Sequence, residues 1–447
     1  MNWKFGVAVK SQKAPNEALP GFPRMEVTKV TTILGECCRF SRKNLSHRSE
    51  EVRVSQLKIP ILDLKPQYES LKNEINEAIA RVVESGQFIM GPDVKLFEQE
   101  VAAYLGVKHA IAVNSGTDAL FISLRALGIG SGDEVITTPF TFFATAEAIS
   151  HVGATPVFVD IDERTFNFNP DLIEKQITER TKAILPVHLF GRPAEMGKIM
   201  ALAKKHNLKV VEDCAQSFGA RYQGNCNTCD GSCQPQAYVG KQTGTIGDIG
   251  AYSFFPSKNL GAYGDGGLIA TDDDTLAECA RMLRVHGSRK KYYNEVVGYN
   301  SRLDTLQAAI LRVKLPHIDT WNEGRRLVAQ RYNELLKEIP GVVIPDKSPC
   351  PEHVYHQYTI RILGGKRNAL QQHLTEAGIS TMVYYPVPVH CLPIYIDLGY
   401  TLATAEMAAQ EVLSLPIWPD MAFEVQEQVV DTLKSFLCTT ESLHHSQ

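Results

Sequence analysis

Three short segments combine residue types that could do chemistry together, and the first is the turn at residues 114–118. This turn is small, contains Gly116, and precedes a helical pattern that begins at Thr117. The first N–H groups of a helix have no partner within it, and the helix dipole adds positive potential there. The turn therefore favours an anion, best a phosphate, although Ser115 or Asp118 could equally be a helix cap.

The other two segments carry an acid and a base. Asp213 ends the apolar run at residues 209–212, where it could bind a ligand or serve as a cap or structural hydrogen-bond partner. Lys258 lies in a stretch of aromatic and apolar residues, 252–261. Desolvation disfavours the ammonium form, which lowers the pKa of a lysine and makes it a better nucleophile. The alternative for Lys258 is a surface lysine in a turn.

Taken together, the three segments match the requirements of one cofactor. Pyridoxal 5'-phosphate needs a lysine for its Schiff base, a carboxylate for its pyridine nitrogen and an anion site for its phosphate. Lys258, Asp213 and the Gly116–Thr117 turn supply one of each.

Hydrophobic patterning indicates the elements that would position these residues. Short apolar runs predict strands at residues 110–113, 134–138, 156–160, 183–187, 209–212, 251–255 and 268–271. Helical patterns separate several of them, which predicts an α/β fold with a mainly parallel sheet covered on both faces. Such sheets bind ligands at the carboxyl ends of their strands.

The chain changes character at both ends. Residues 1–56 show little periodicity, which predicts either a poorly ordered extension or a start codon placed too far upstream. Residues 57–315 form the predicted large domain. After Leu315, an amphipathic helix at 321–336 leads to a strand-like segment at 354–362 and a helix at 367–377, so residues 316–447 predict a smaller α+β domain.

The chemistry-bearing segments resemble the sugar aminotransferases of the DegT/DnrJ/EryC1/StrS family, a branch of the fold-type I pyridoxal phosphate enzymes. The resemblance runs from about Ile59 to Leu437. Its signatures are residues 115–120 (SGTDAL), 139–145 (PFTFFAT), 212–216 (EDCAQ), 253–258 (SFFPSK), 264–267 (GDGG) and 300–304 (NSRLD).

The resemblance implies a role for each residue around the cofactor ring. Lys258 bears the cofactor as a Schiff base and then moves the proton between the substrate carbon and the cofactor. Asp213 pairs with the protonated pyridine nitrogen and keeps the ring an electron sink. Gln216 lies near the phenolic oxygen of the ring, and Phe142 stacks on its face.

The resemblance also implies the residues at the phosphate and the substrate. Gly116, Thr117 and Ser253 hold the phosphate. Asn300 reaches the phosphate bound by the partner subunit, so the active site requires a homodimer. His286 and His390 lie in loops that approach the substrate in this family, with an ordinary loop histidine as the alternative for each.

The implied reaction moves an amino group from an amino acid, usually L-glutamate, to a nucleotide-linked keto-sugar for a polysaccharide or a glycosylated metabolite. The run at residues 298–309 (GYNSRLDTLQAA) is more typical of the branch that aminates C3. The C4 branch, which stays open, more often has an aromatic residue and Met in place of Ser301 and Leu303.

Two other functions are compatible with parts of this pattern. Dehydratases of the same family replace the Schiff-base lysine with histidine, whereas this chain has Lys258. A non-catalytic regulator or scaffold that binds pyridoxal phosphate is the second, since a fold does not guarantee turnover. The presence of Lys258, Asp213 and Gln216 counts against it.

The amino-acid composition limits the classes of molecule that this protein is expected to bind. The 447 residues include 46 Lys+Arg and 50 Asp+Glu, a formal net charge of −4, which argues against binding to nucleic acid or a membrane surface. No secretory signal is visible at the N-terminus, so the sequence predicts a cytoplasmic protein with reduced thiols. The glycines of residues 128–132 imitate part of a dinucleotide motif, but they follow a helix and predict a turn.

A cysteine cluster lies in a stretch that the family pattern lacks. Deleting residues 225–240 would join Gly224 to Lys241 and restore the usual family run, so we interpret 225–240 as an inserted loop. Cys226, Cys229 and Cys233 could bind zinc, but no fourth ligand is evident. The favoured interpretation is a solvated loop, with no metal predicted.

Overall fold

The computed structural model describes residues 59–223, 235–346 and 353–442. The predicted N-terminal extension, residues 1–56, lies outside the described residues, and so do Cys226, Cys229 and Cys233. Of the predicted insertion, the structure describes residues 235–240, which include a short 3₁₀ helix at Pro235–Tyr238.

A seven-stranded sheet forms the centre of the fold. Its strands are β1 (His109–Val113), β2 (Glu134–Thr137), β3 (Thr155–Phe158), β4 (Thr181–Ile184), β5 (Lys209–Asp213), β6 (Ile249–Ser253) and β7 (Gly267–Thr271). The spatial order is β1-β7-β6-β5-β4-β2-β3. β7 runs antiparallel to its neighbours β1 and β6, and the remaining pairs are parallel.

Helices pack on both faces of this sheet. They are α1 (Lys65–Ser85), α2 (Pro92–Leu105), α3 (Gly116–Ala126), α4 (Ala144–His151), α5 (Met196–His206), α6 (Asp274–Leu283) and α7 (Thr305–Lys314). Along β7, Ile269 belongs to the hydrophobic cluster of α3 and α6, whereas Leu268 and Ala270 belong to the cluster of α1, α2 and α7. Because successive side chains point to opposite faces, a sheet covered on both sides needs apolar residues throughout, as these strands have.

The α/β prediction is confirmed, and all seven predicted strands are present with shifted ends. The strand predicted at 251–255 spans Ile249–Ser253, because the chain beyond Ser253 turns at Pro256 into the Lys258 loop. The strand predicted at 183–187 spans Thr181–Ile184, although Val187 still makes an isolated bridge to Asp213. Residues 128–132 follow α3 and form turns, with positive φ at Gly128 and Gly132.

A second sheet follows in the C-terminal part, after the short hairpin β8 (Ser288–Lys290) and β9 (Tyr293–Asn294). Its antiparallel strands are β10 (Val342–Val343), β11 (Tyr358–Ile362) and β12 (Val412–Leu415). Its helices are α8 (Ile318–Leu336), α9 (Arg367–Glu376), α10 (Ala403–Glu411) and α11 (Phe423–Ser442). The helices predicted at 321–336 and 367–377 are thus present, while the domain boundary at residue 315 stays a prediction.

Among the residues that the structure describes, no helix is long and apolar enough to cross a lipid bilayer.

Candidate active site

A cavity of about 510 Å³ opens at the carboxyl ends of β1, β5 and β6. Residues of the C-terminal part, among them His356 and Ile417, form its opposite wall. Seven of the ten residues predicted from the sequence line this cavity: Gly116, Thr117, Phe142, Asp213, Gln216, Ser253 and Lys258. Gly116 and Ser253, which are 137 residues apart in the chain, therefore meet at the carboxyl ends of the strands.

Lys258 lies on a tight loop between β6 and β7. Its backbone N–H donates to the carbonyl of Phe255 at 2.8 Å, and the N–H of Ala262 closes the loop on the carbonyl of Phe254 at 2.8 Å. Burial lowers the pKa of the Lys258 ammonium to about 8, although attraction to the Asp213 carboxylate opposes this shift. At neutral to mildly alkaline pH a sizeable fraction of this amine is consequently uncharged and nucleophilic.

Asp213 is the last residue of β5 and is almost fully buried. Its Oδ1 accepts the backbone N–H of Ala215 at 3.1 Å, and its Oδ2 accepts the hydroxyl of Thr145 at 2.9 Å. Burial raises the pKa of this carboxyl, against the opposing effects of these two hydrogen bonds and of Lys258. A buried carboxylate in this position would bind a protonated ring nitrogen strongly, because both charges are removed from water.

The predicted anion site is the start of α3. Ser115 caps the helix by accepting the N–H of Asp118 at 3.1 Å, while the N–H groups of Gly116 and Thr117 lie ahead of the helical hydrogen bonds. Gly116 packs so closely on β6 that a Cβ there would lie 2.6 Å from the Cβ of Ser253. Only glycine allows this approach, which brings the Ser253 hydroxyl beside the helix start.

Gln216 is oriented by two hydrogen bonds. Its Oε1 accepts the N–H of Phe190 at 2.6 Å, and its Nε2 donates to the hydroxyl of Tyr385 at 3.0 Å. Phe142, on the same cavity, remains 60% exposed, and its ring centroid lies 6.4 Å from that of Tyr385. An aromatic face at the mouth of a cavity can stack on a planar ring.

The other three predicted residues do not line the cavity. His390 is 2% exposed, and its Nε2 lies 3.1 Å from Oε1 of Glu406. His286 is exposed, with its backbone in the left-handed region at φ 61°. Asn300 is also exposed, and its Oδ1 accepts a hydrogen bond from Nε of Arg302 at 2.8 Å. Their predicted roles at the substrate and in the partner subunit stay predictions.

Several residues that line the cavity were not predicted from the sequence. Thr145 holds Asp213, and its Oγ1 lies 2.9 Å from Oγ1 of Thr141. Both threonines stand in the PFTFFAT signature, but Thr141 precedes the helix that begins at Ala144, so helical spacing does not predict this contact. His356, Gln357, Tyr384 and Tyr385 also line the cavity. They come from the C-terminal part, more than 95 residues beyond Lys258, and no local pattern distinguishes them.

The cavity fits pyridoxal 5'-phosphate. The amine of Lys258 suits the aldehyde, the buried carboxylate of Asp213 suits the pyridine nitrogen, and the helix start at Gly116 suits the phosphate. The close approach of Gly116 to Ser253 gives the phosphate backbone N–H donors and a hydroxyl on adjacent elements.

Comparison with known proteins supports the same assignment. Residues 69–434 match the model of the DegT/DnrJ/EryC1/StrS aminotransferase family. A "pleiotropic regulatory protein" of Geobacillus stearothermophilus is 52% identical over 85% of this chain and 99% of its own. The dTDP-3-amino-3,4,6-trideoxy-alpha-D-glucose transaminase of Streptomyces venezuelae is 45% identical over 88% and 98%. A UDP-N-acetyl-3-dehydro-alpha-D-glucosamine 3-aminotransferase of Acidithiobacillus ferrooxidans is 44% identical over 85% and 98%.

Solved structures agree with these relatives. The crystal structure of Streptomyces venezuelae DesV is 45% identical in sequence, with a TM-score of 0.79 over 85% of this chain and 98% of its own. A further similar structure, 34% identical, holds bound pyridoxamine phosphate, the aminated form of the cofactor. The chain belongs to the DegT/DnrJ/EryC1/StrS aminotransferase family and is a pyridoxal phosphate-dependent aminotransferase.

Proposed function

We propose that this enzyme transfers the amino group of L-glutamate to the C3 keto group of a nucleotide-linked sugar. The observation that carries the proposal is the meeting of Lys258, Asp213 and the start of α3 around one cavity. Bound pyridoxal phosphate would supply the electron sink that lets an amino group leave the donor and join the keto carbon. The product would serve the synthesis of a polysaccharide or a glycosylated metabolite.

The residues of the chain would divide the work as follows. Lys258 would hold the cofactor covalently and, once released, take up and return the proton at the reacting carbon. Asp213 would keep the ring nitrogen protonated, with Gln216 near the phenolic oxygen and Phe142 on the ring face. Gly116, Thr117 and Ser253 would bind the phosphate through N–H and hydroxyl donors.

Amination at C3 is favoured over C4 by two observations. The run at residues 298–309 has Ser301 and Leu303 where the C4 branch more often has an aromatic residue and Met. The two sugar transaminases compared above act, by their names, on 3-amino or 3-dehydro sugars. Incubating the enzyme with L-glutamate and a panel of 3-keto and 4-keto sugar nucleotides, with NMR of the product, tests this. Amination of only the 4-keto compounds would refute the C3 assignment.

We propose that the active unit is a homodimer in which Asn300 reaches the phosphate site of the partner subunit. Its exposed position, away from the cavity of its own subunit, supports this. Mixing the inactive variants Lys258→Ala and Asn300→Ala tests it after subunit exchange. A mixed dimer carries both changes in one site and none in the other, so activity should return. No recovery, with exchange verified by mass spectrometry, would contradict the shared site.

A regulator that binds the cofactor without turnover is the second candidate, and the name of the Geobacillus relative is the observation that favours it. A half-reaction separates the two functions. An aminotransferase treated with L-glutamate alone should convert its cofactor to pyridoxamine phosphate and release one 2-oxoglutarate per site. If the visible absorbance persists with every amino acid tried, the regulator is supported instead. The division into domains at residue 315 and a cytoplasmic location stay predictions from the sequence.

A further inference from the structure

Glu212 precedes Asp213 on β5 and is completely buried, with 0% of its surface exposed. Its side chain points to the opposite face of the strand from that of Asp213, because successive residues of a strand alternate. A buried carboxylate is costly unless all its oxygens are hydrogen-bonded. The resemblance and the proposed mechanism give this residue no task, so its partners need an explanation.

Four N–H groups satisfy the Glu212 carboxylate. Oε1 accepts the backbone N–H of Ile246 at 2.8 Å and that of Gly247 at 2.7 Å. Oε2 accepts the backbone N–H of Gly244 at 2.9 Å and Nε2 of His188 at 2.9 Å. Burial acts to raise the pKa of Glu212, but the bonds from His188, Gly247 and Gly244 outweigh it and lower the pKa. The four acceptor sites of the carboxylate are thereby used.

His188 can present only one ring nitrogen as a donor to Glu212. Its Nδ1 accepts the backbone N–H of Ala194 at 3.0 Å, so Nδ1 carries no hydrogen. Nε2 must therefore carry the ring hydrogen, which it donates to Glu212. The ring cannot reverse this arrangement, since a hydrogen on Nδ1 would face the N–H of Ala194. His188 is 0% exposed, so water cannot replace either bond.

The backbone of the segment that contains His188 also holds the backbone of Asp213. The N–H of His188 donates to the carbonyl of Asp213 at 3.1 Å, and the N–H of Asp213 donates to the carbonyl of Pro186 at 2.8 Å. Glu212 thus ties the end of β5 to segment 186–194 on one side and to loop 244–247 on the other. Loop 244–247 is tightly packed at Gly244, because a Cβ there would lie 2.1 Å from the hydroxyl oxygen of Tyr252.

From this geometry we infer that Glu212 and His188 are a positioning pair for the reaction: they hold the Asp213 carboxylate where it meets the pyridine nitrogen. The inference rests on the proposed role of Asp213. Neither residue of the pair lines the cavity, so both act through Asp213 and do not touch the cofactor. Misplacement of a catalytic group by about 1 Å can lower the reaction rate about 100-fold, so a pair that fixes the position of Asp213 can contribute to turnover without touching the cofactor.

Glu212→Gln tests the pair, with Glu134→Gln as the matched control. The Gln amide would turn an NH2 group towards donors that the carboxylate now accepts. Glu134 is also buried. It is the first residue of β2, so it lies at the amino ends of the parallel strands, away from the cavity, where it accepts the Thr178 hydroxyl. Each full-length apoprotein is titrated with pyridoxal phosphate by visible absorbance. We expect at least about tenfold weaker binding for Glu212→Gln and less than about twofold for Glu134→Gln.

A second pair of variants keeps the inference testable if Glu212→Gln does not fold. His188→Gln is long enough to place its NH2 donor near the position of Nε2, whereas the shorter His188→Asn can accept the N–H of Ala194 near the position of Nδ1 but cannot reach Glu212 with its NH2. We expect His188→Gln to resemble the wild type and His188→Asn to bind the cofactor as weakly as Glu212→Gln. The pH midpoint of the visible absorbance should also move in the same direction as that of Asp213→Ala, a change that simple loss of stability would not produce.

Parallel measurements on Asp213→Ala separate the role of the Glu212–His188 pair from the role of Asp213. Weak binding in both Asp213→Ala and the pair variants supports the inference. Weak binding in Asp213→Ala, with normal binding and an unmoved pH midpoint in Glu212→Gln and His188→Asn, overturns the positioning pair and leaves the role of Asp213 intact. Normal binding in Asp213→Ala overturns the proposed role of Asp213, and the positioning inference with it.

Discussion

The hydroxyl of Thr145 donates a 2.9 Å hydrogen bond to Oδ2 of Asp213, and this bond ties the first turn of α4 to the end of β5. The bond lowers the pKa of Asp213 against the larger effect of burial, which raises it. Thr145 therefore helps to keep the acid ionised, which is the state that a protonated ring nitrogen needs.

Replacing Thr145 with Val should slow turnover. The variant removes the hydroxyl at nearly constant volume, so the pKa of Asp213 rises and its carboxylate is less firmly held. We expect kcat to fall about tenfold, in line with the loss of one hydrogen bond to a charged group. Thr137→Val is the control, since Thr137 is equally buried but donates to the carbonyl of Leu185. Equal kcat values for the two variants would contradict the role of Thr145.

The reactivity of Lys258 should depend on pH with a midpoint near 8. Above this pH the amine is neutral in the apoprotein, and below it the amine is protonated and unreactive. The apoprotein is acylated at a series of pH values, and the acylated fraction of Lys258 is measured by mass spectrometry of its peptide. This fraction should rise through about pH 8 rather than near the ordinary lysine pKa of 10.5. Because attraction to Asp213 raises the pKa of Lys258, Asp213→Asn should move the midpoint lower. An upward shift would contradict the electrostatic coupling between the two residues.

Gly116→Ala should damage the phosphate site. Its Cβ would lie 2.6 Å from the Cβ of Ser253, so the helix start or β6 must move. Overpacking of this kind costs about 1–3 kcal/mol, and we expect pyridoxal phosphate to bind at least about tenfold more weakly. Gly130→Ala is the control beyond the other end of α3, because the nearest atom to its Cβ would lie 3.7 Å away. Cofactor titration of both apoproteins would show the difference, and normal affinity in Gly116→Ala would exclude this close packing as a requirement.

His390→Asn should affect stability more than substrate binding. The ring is buried and pairs with the partly exposed Glu406 rather than lining the cavity, so its replacement removes buried packing and one hydrogen bond. We expect a loss of about 1–3 kcal/mol in the free energy of unfolding, measured by denaturant titration. The exposed His286, replaced in the same way, should leave stability unchanged. A large rise in KM for His390→Asn at unchanged stability would instead support the substrate role predicted from the sequence.

Local features of the chain were sufficient to predict the α/β class. The strands are short runs that need no distant partner to be recognised, and some, such as His109–Val113 and Gly267–Thr271, are bounded by polar residues or glycine. The errors lie at the strand ends. Residues 254 and 255 are apolar like the strand before them, but the chain leaves the sheet there and turns at Pro256, where the N–H of Lys258 donates to the carbonyl of Phe255.

The cofactor residues Gly116, Asp213 and Lys258 could likewise be predicted, because each stands within a short signature at the carboxyl end of a strand. Composition and periodicity determined the fold class, and the residue types in these segments indicated the cofactor, since both depend on residues close together in the chain. The reaction class came from the resemblance of the signatures to the family.

Only the tertiary structure decided which side chains support the site. Thr145 reaches Asp213 across 68 positions of sequence, and His188 reaches Glu212 across 24. Tertiary packing also separated His390 from the cavity by pairing it with Glu406. Burial forces every polar group to find a partner, and the partner depends on how the sheet brings distant segments together rather than on the residues beside it.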